Sequence, residues 1–192
     1  MLDIVGGGGG GITFVDKAPV LDVNILAQGF GILGFIIIVL SFQIKRNSRF
    51  FLAQGAGSLM FLLNYLLIGA FGGVLFNLCN LLRGLMLMRN PQKKWKLAVN
   101  VLSYAVSITL VAVFDLSRNL PLDILLCTAL AVMSVFMWLG NSRVIRIVQI
   151  AMSSPVWLIY NSINLSIGGL LCESFTMVSS FIYLLRLRKE GK

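Results

Sequence analysis

Long apolar runs alternate with short polar, mostly basic clusters from residue 23 to the end of the chain. Each run approaches the ~20 residues needed to cross hydrocarbon as a helix. The pattern predicts seven helices, over residues 23–42, 51–68, 73–88, 97–114, 122–139, 147–165 and 168–187. Gln43, Lys45, Arg46 and Arg49 end the first. Asn90-Pro91 stops the third, because proline disfavours helix in the residue before it. Lys93, Lys94 and Lys96 follow that stop. Asp115, Arg118 and Asp123 mark the next loop, with Pro121 at a first helical turn. Arg143 and Arg146 follow the fifth helix. Gly29, Gly31 and Gly34 give the first helix small-residue patches for close packing. Residues 1–21 have six consecutive glycines at 6–11, Asp3 and no basic start, so they are expected to form a flexible tail rather than a secretory signal.

One segment is written twice. FLLNYLLIGAFGGVLFNLCNLLR (61–83) aligns on WLIYNSINLSIGGLLCESFTMVS (157–179), 96 residues later. Gly72-Gly73 falls on Gly168-Gly169, Asn64-Tyr65 on Tyr160-Asn161, Asn77 on Glu173 and Asn80 on Thr176. Small and polar residues keep their depth while apolar residues drift. The expected architecture is therefore all-α and polytopic, seven transmembrane helices in a 3+1+3 parallel repeat. Residues 22–91 form the first three-helix unit, 92–116 a linker helix, 117–187 the second unit and 188–192 a basic tail. Many transporters are duplicated in this way, with the site between the repeats near the bilayer midplane.

Composition supports the membrane reading. The chain is 58% hydrophobic and 12% charged, about half the charged share of a soluble domain. The net charge of +9 is no nucleic-acid signal, because the cations cluster between apolar runs and form no stripe with exposed aromatics. Thirteen of the sixteen Lys and Arg lie after the first, third, fifth and seventh helices. The positive-inside rule then puts the C-terminus in the cytoplasm and the N-terminus outside. The partner is a lipid bilayer. The chain has no histidine, which removes the commonest general base and most zinc sites. Cys79, Cys127 and Cys172 sit in apolar runs without metal-ligand spacing. No cofactor, metal or enzymatic role is expected.

Arg83 and Glu173 are the acid–base pair expected deep in helices. An unpaired charge at mid-bilayer costs at least about 2.5–3.5 kcal/mol, so each should face the bundle interior or snorkel to an interface. Their positions give an axial offset of roughly 8 Å at 1.5 Å rise per residue. If they do not meet, Glu173 is a candidate for coupling proton movement. Gly73, Asn77, Asn80 and Gly84 share one helical face, as do Gly169, Glu173, Thr176 and Ser180. Two such faces either enclose a hydrated pocket or pack through interhelical hydrogen bonds. The candidate pocket set is Asn64, Asn77, Asn80, Trp157, Asn161, Glu173 and Thr176. Tyr65 and Tyr160 have the depth of aromatic-belt residues. Pro155 should kink the sixth helix and is the candidate hinge.

LAQGFGILGF (26–35), the SFQ-K-R end of the first helix, NYLLIGAFGG, and SIGGLLCESF with the closing LLRLRK resemble the bacterial inner-membrane YgjV family over residues 26–189. More distantly, the 3+1+3 plan resembles the PQ-loop and SWEET sugar transporters and vitamin-precursor transporters of similar build. That resemblance implies a pocket asparagine on the third helix, matched by Asn77 or Asn80, with Glu173 or Thr176 in its place in the second repeat. It implies a pocket tryptophan matched by Trp157, with Phe61 opposite. The Pro-Gln hinge of those families is absent: Phe42 precedes Gln43, and Leu139 stands at the corresponding place. The implied function is a small transporter or facilitator for a small, polar, uncharged solute. The competing reading is a non-transporting scaffold or accessory subunit, which should have a filled core.

Overall fold

The computed structural model describes residues 18–44, 47–88, 93–114, 116–117 and 119–189. The glycine-rich start, Lys45, Arg46, Asn90-Pro91, Asp115, Arg118 and residues 190–192 lie outside the described residues.

The described chain is helical, without a strand: α1 (Ala18–Ser41), α2 (Asn47–Leu67), α3 (Phe71–Met88), α4 (Lys94–Val113), α5 (Leu120–Leu139), α6 (Ser142–Val148), a π-helical turn (Gln149–Ser153), α7 (Ser154–Ile163) and α8 (Ile167–Lys189). Among the described residues six helices, α1 to α5 and α8, are long and apolar enough to cross a membrane. The expected sixth helix is here α6, the π turn and α7 in unbroken succession, of 7, 5 and 10 residues.

That sixth helix begins earlier than its apolar run. Gly140, with φ of 74°, closes α5 in the left-handed conformation that glycine adopts at no steric cost. Asn141 then caps the next helix, its side-chain oxygen accepting from the amides of Arg143 and Val144. Arg143 and Arg146, expected in a loop, are therefore helical. Pro155 explains the π turn. A proline clashes with the carbonyl four residues back and offers no N–H. The helix widens by one residue before it, and the amide of Ser154 donates to the carbonyl of Gln149, five residues earlier. Such turns mark functional sites in many helices.

Close backbone approach sets the bundle. A Cβ on Gly168 would overlap the Gly31 backbone where α8 crosses α1. Gly34 and Gly57 meet where α1 crosses α2, while Gly29 faces open space and packs nothing. Helix α4 lies against α3 and α5. Tyr104 donates to Asn80 Oδ1 (2.8 Å), Asn100 to the Cys79 carbonyl (3.4 Å) and the Cys127 thiol to the Tyr104 carbonyl (3.4 Å).

The two short turns flanked by the duplicated segment have the same backbone geometry. Gly69 has φ of 72° and Leu165, 96 positions on, has φ of 54°. The amide of Ala70 donates to the Tyr65 carbonyl (2.9 Å), and that of Ser166 to the Asn161 carbonyl (3.0 Å). Both satisfy a helix-end carbonyl by a six-to-one bond. Asp123, expected with the loop, is instead 3% exposed in the first turn of α5, taking a hydrogen bond from Ser117.

Candidate functional site

A cavity of about 570 Å³ lies along the bundle axis. That volume falls within the usual range of ligand pockets. From the first half it is lined by Ile38 of α1, by Gln54, Ser58, Phe61 and Tyr65 of α2, and by Asn77, Asn80 and Arg83 of α3. From the second half come Leu130, Met133 and Met137 of α5, Arg146, Gln149, Ser153, Trp157 and Asn161 along the sixth helix, and Gly169, Cys172, Glu173 and Thr176 of α8. Six of the seven candidate pocket residues are thus on one wall or another: Asn77, Asn80, Trp157, Asn161, Glu173 and Thr176.

Asn64 is not among them. It is fully buried, donates to the Ala27 carbonyl (2.7 Å) and accepts from Ser166 (2.7 Å). One residue turns a helical side chain by about 100°. Tyr65 takes the inward position, and Asn64 ties α2 to α1 and to the start of α8.

One end of the cavity is closed by aromatic rings. Tyr65 stacks on Trp157 (centroids 5.9 Å, interplanar angle 27°), and Tyr160 sets its ring edge-on to both. The Tyr65 hydroxyl donates to Asn161 Oδ1, and the Tyr160 hydroxyl accepts from the Gly73 amide (2.6 Å). Tyr65 and Tyr160, 1% and 4% exposed, are buried closures rather than members of an aromatic belt. A Cβ at Gly73 would press on the Tyr65 ring, and one at Gly169 would overlap the Asn161 amide. The two glycines let both side chains swing across the axis.

The middle is polar. Gln149 donates to Ser154 Oγ (2.7 Å), and Ser154 donates to Glu173 Oε2 (2.5 Å). The π turn places this relay, since Gln149 opens it and Ser154 follows it. On α3, Asn77 donates to the Gly73 carbonyl (2.9 Å), and on α8, beside Glu173, Thr176 donates to the Cys172 carbonyl (2.8 Å).

The far end is reached through Phe42, Phe50, Phe51, Leu87, Trp138 and Ile145, at the ends of α1, α3 and α5 and the starts of α2 and α6. It is the end flanked by the basic loops. Arg83 donates here to Ser134 Oγ (3.2 Å) and Arg146 to Ser180 Oγ (3.2 Å). Arg83 and Glu173 share the cavity, but among the described residues no ion pair joins them. No cluster of His, Cys, Asp and Glu able to hold a metal occurs among the described residues.

Sequence reasoning missed Gln149, Ser154 and Arg146. Asn141 is a helix-cap residue type and signalled the early start of the sixth helix; Pro155 signalled a distortion, though not its π form.

Apolar helices of spanning length around an axial cavity that carries polar side chains on its wall define a polytopic membrane protein. Residues 25–191 match the Imp-YgjV family, described as a bacterial inner membrane protein, and the chain belongs to that family. No curated protein sequence matches the chain, and no solved structure does.

Proposed function

We propose that this protein is a small transporter or facilitator, built as a 3+1+3 parallel repeat with its solute site in the axial cavity. The observation that carries this reading is the pairing of positions around the cavity. Phe61 and Trp157, Tyr65 and Asn161, Asn77 and Glu173, and Asn80 and Thr176 are each 96 positions apart, and all eight line one space. A scaffold has no need of a cavity this large.

The π turn supports the duplication. Helices α2 and α6 start 95 positions apart, at Asn47 and Ser142, whereas α3 and α8 start 96 apart. The one-residue difference is the residue the π turn inserts. Gln54 then corresponds to Gln149, and both line the cavity. The sixth helix, about 33 Å long at 1.5 Å per residue, makes the seventh crossing.

With the basic loops in the cytoplasm, the N-terminus is outside. The cavity is then open inward and closed outward by Tyr65, Trp157, Tyr160 and Asn161. Pro155 and the π turn are the hinge on which the outer closure is released. Glu173, hydrogen-bonded to Ser154 and, among the described residues, without a cationic partner, is the residue that couples proton movement. The substrate is a small polar solute.

Reconstitution into liposomes with a panel of labelled solutes tests the reading. Uptake of at least one solute above protein-free vesicles is expected, and its loss on Trp157→Ala with the fold retained. A panel that gives no uptake, with a stoichiometric partner found on copurification, favours the scaffold.

A further inference from the structure

The cavity is unevenly charged. Its basic lining residues are two arginines, Arg83 and Arg146, and its one carboxylate is Glu173. Each guanidinium bonds a neutral serine hydroxyl through a single terminal nitrogen. Among the described residues neither has a carboxylate within ion-pair distance. A guanidinium carries five N–H donors in a planar fork, so both retain donors for a further partner. Arg146 is also held between the faces of Phe42 and Tyr183, each 5.6 Å away, which fixes its plane without neutralising it. A third donor belongs to the same lining: Trp138 Nε1 is buried and, among the described residues, has no hydrogen-bond partner.

Charge at this depth is costly unless something answers it. All three groups donate and none accepts. The complement of a donor-only, doubly cationic wall is an anion with several acceptor oxygens, a carboxylate or phosphate, which a guanidinium grips through two parallel bonds. From this geometry we infer that the solute is a small oxyanion, held by Arg83 and Arg146 with Trp138 at the inward half of the cavity. Glu173 stands in the middle of the cavity, held by Ser154, and among the described residues it pairs with neither arginine. This inference rests on the transporter reading and replaces the uncharged solute expected by resemblance with an anionic one.

The test is collisional quenching of tryptophan fluorescence in nanodiscs, on a Trp95→Phe background. Trp95 is exposed on α4, away from the cavity, so the remaining emission comes from Trp138 and Trp157, both on its lining. Acrylamide, which is neutral, reports whether the cavity is open to water. Iodide and caesium report the sign of its potential at fixed ionic strength. With each rate divided by that for free N-acetyltryptophanamide, iodide is expected to quench several-fold more strongly than caesium. Arg83→Gln with Arg146→Gln abolishes the difference and leaves acrylamide quenching unchanged, and the Lys pair restores it. Succinate or inorganic phosphate, but not glucose, should displace iodide; whichever does so more strongly names carboxylate or phosphate. Iodide quenching no stronger than caesium overturns the inference, as does displacement by glucose or by neither anion. If the double variant does not fold, the native iodide-to-caesium comparison and the displacement series decide alone. Absence of acrylamide quenching would instead overturn the hydrated cavity itself, and the two failures are distinguishable.

Discussion

Tyr65 donates its phenolic proton to Oδ1 of Asn161, and the two residues lie 96 positions apart. That is the offset relating 61–83 to 157–179. A bond between equivalent positions of the two halves lies on the axis that would relate them, and it is where the cavity ends. Tyr65→Phe keeps the stacking on Trp157 but leaves a buried amide oxygen unsatisfied. Such an orphan costs about 1–3 kcal/mol. Thermal unfolding in detergent should fall accordingly. An unchanged midpoint would mean the bond is not a structural latch.

The crossing of α1 and α8 tolerates no side chain. Gly168→Ala forces the backbones apart, and overpacking of this kind costs about 1–3 kcal/mol. Gly29→Ala, with nothing near it, should be close to neutral in the same unfolding assay. Equal effects at the two sites would contradict the packing described.

Leu165 holds a left-handed backbone that Gly69 holds at the equivalent turn. A non-glycine residue there costs roughly 1–2 kcal/mol. Leu165 is 74% exposed, so little packing is lost by removing its side chain. Leu165→Gly is expected to raise stability by about 1 kcal/mol after glycine's extra unfolded-state entropy is set against the relieved strain. A lowered unfolding midpoint would show that the leucine is held by contacts with lipid.

Glu173→Gln keeps an oxygen able to accept from Ser154. The variant should fold and transport, without the pH dependence of the native protein. Uptake across a pH series in liposomes checks this. Retained pH dependence would remove Glu173 from coupling, and failure to fold would make it structural.

Much of this was legible in the sequence, because the membrane imposes a simple code. A helix must satisfy its own backbone in lipid, so apolar length announced the helices. Polar residues are costly at depth, so Asn77, Asn80, Glu173 and Thr176 announced the cavity wall. The errors came where one residue of register decides a direction. Asn64 and Tyr65 exchange the expected roles because each residue turns the helix by about 100°. Arg146 reads as loop by its charge, whereas the cap at Asn141 makes it helical. The π turn was invisible because hydropathy does not distinguish a bond to the fourth residue from one to the fifth. Tyr65 and Tyr160 resembled belt residues by depth alone, since no sequence pattern records that Gly73 and Gly169 open room for inward-pointing side chains.

The central claim is that one hydrated cavity between the halves is reached alternately from the two sides of the membrane. Site-directed labelling tests it most directly. With Cys79, Cys127 and Cys172 replaced, a single cysteine is placed at Asn77 and, separately, at Thr176. A membrane-impermeant maleimide is then applied to right-side-out and inside-out vesicles. Both sites should label from both sides, faster from the face that carries the basic loops, which the proposed orientation places in the cytoplasm. Labelling from one face only, or only after detergent is added, would contradict alternating access.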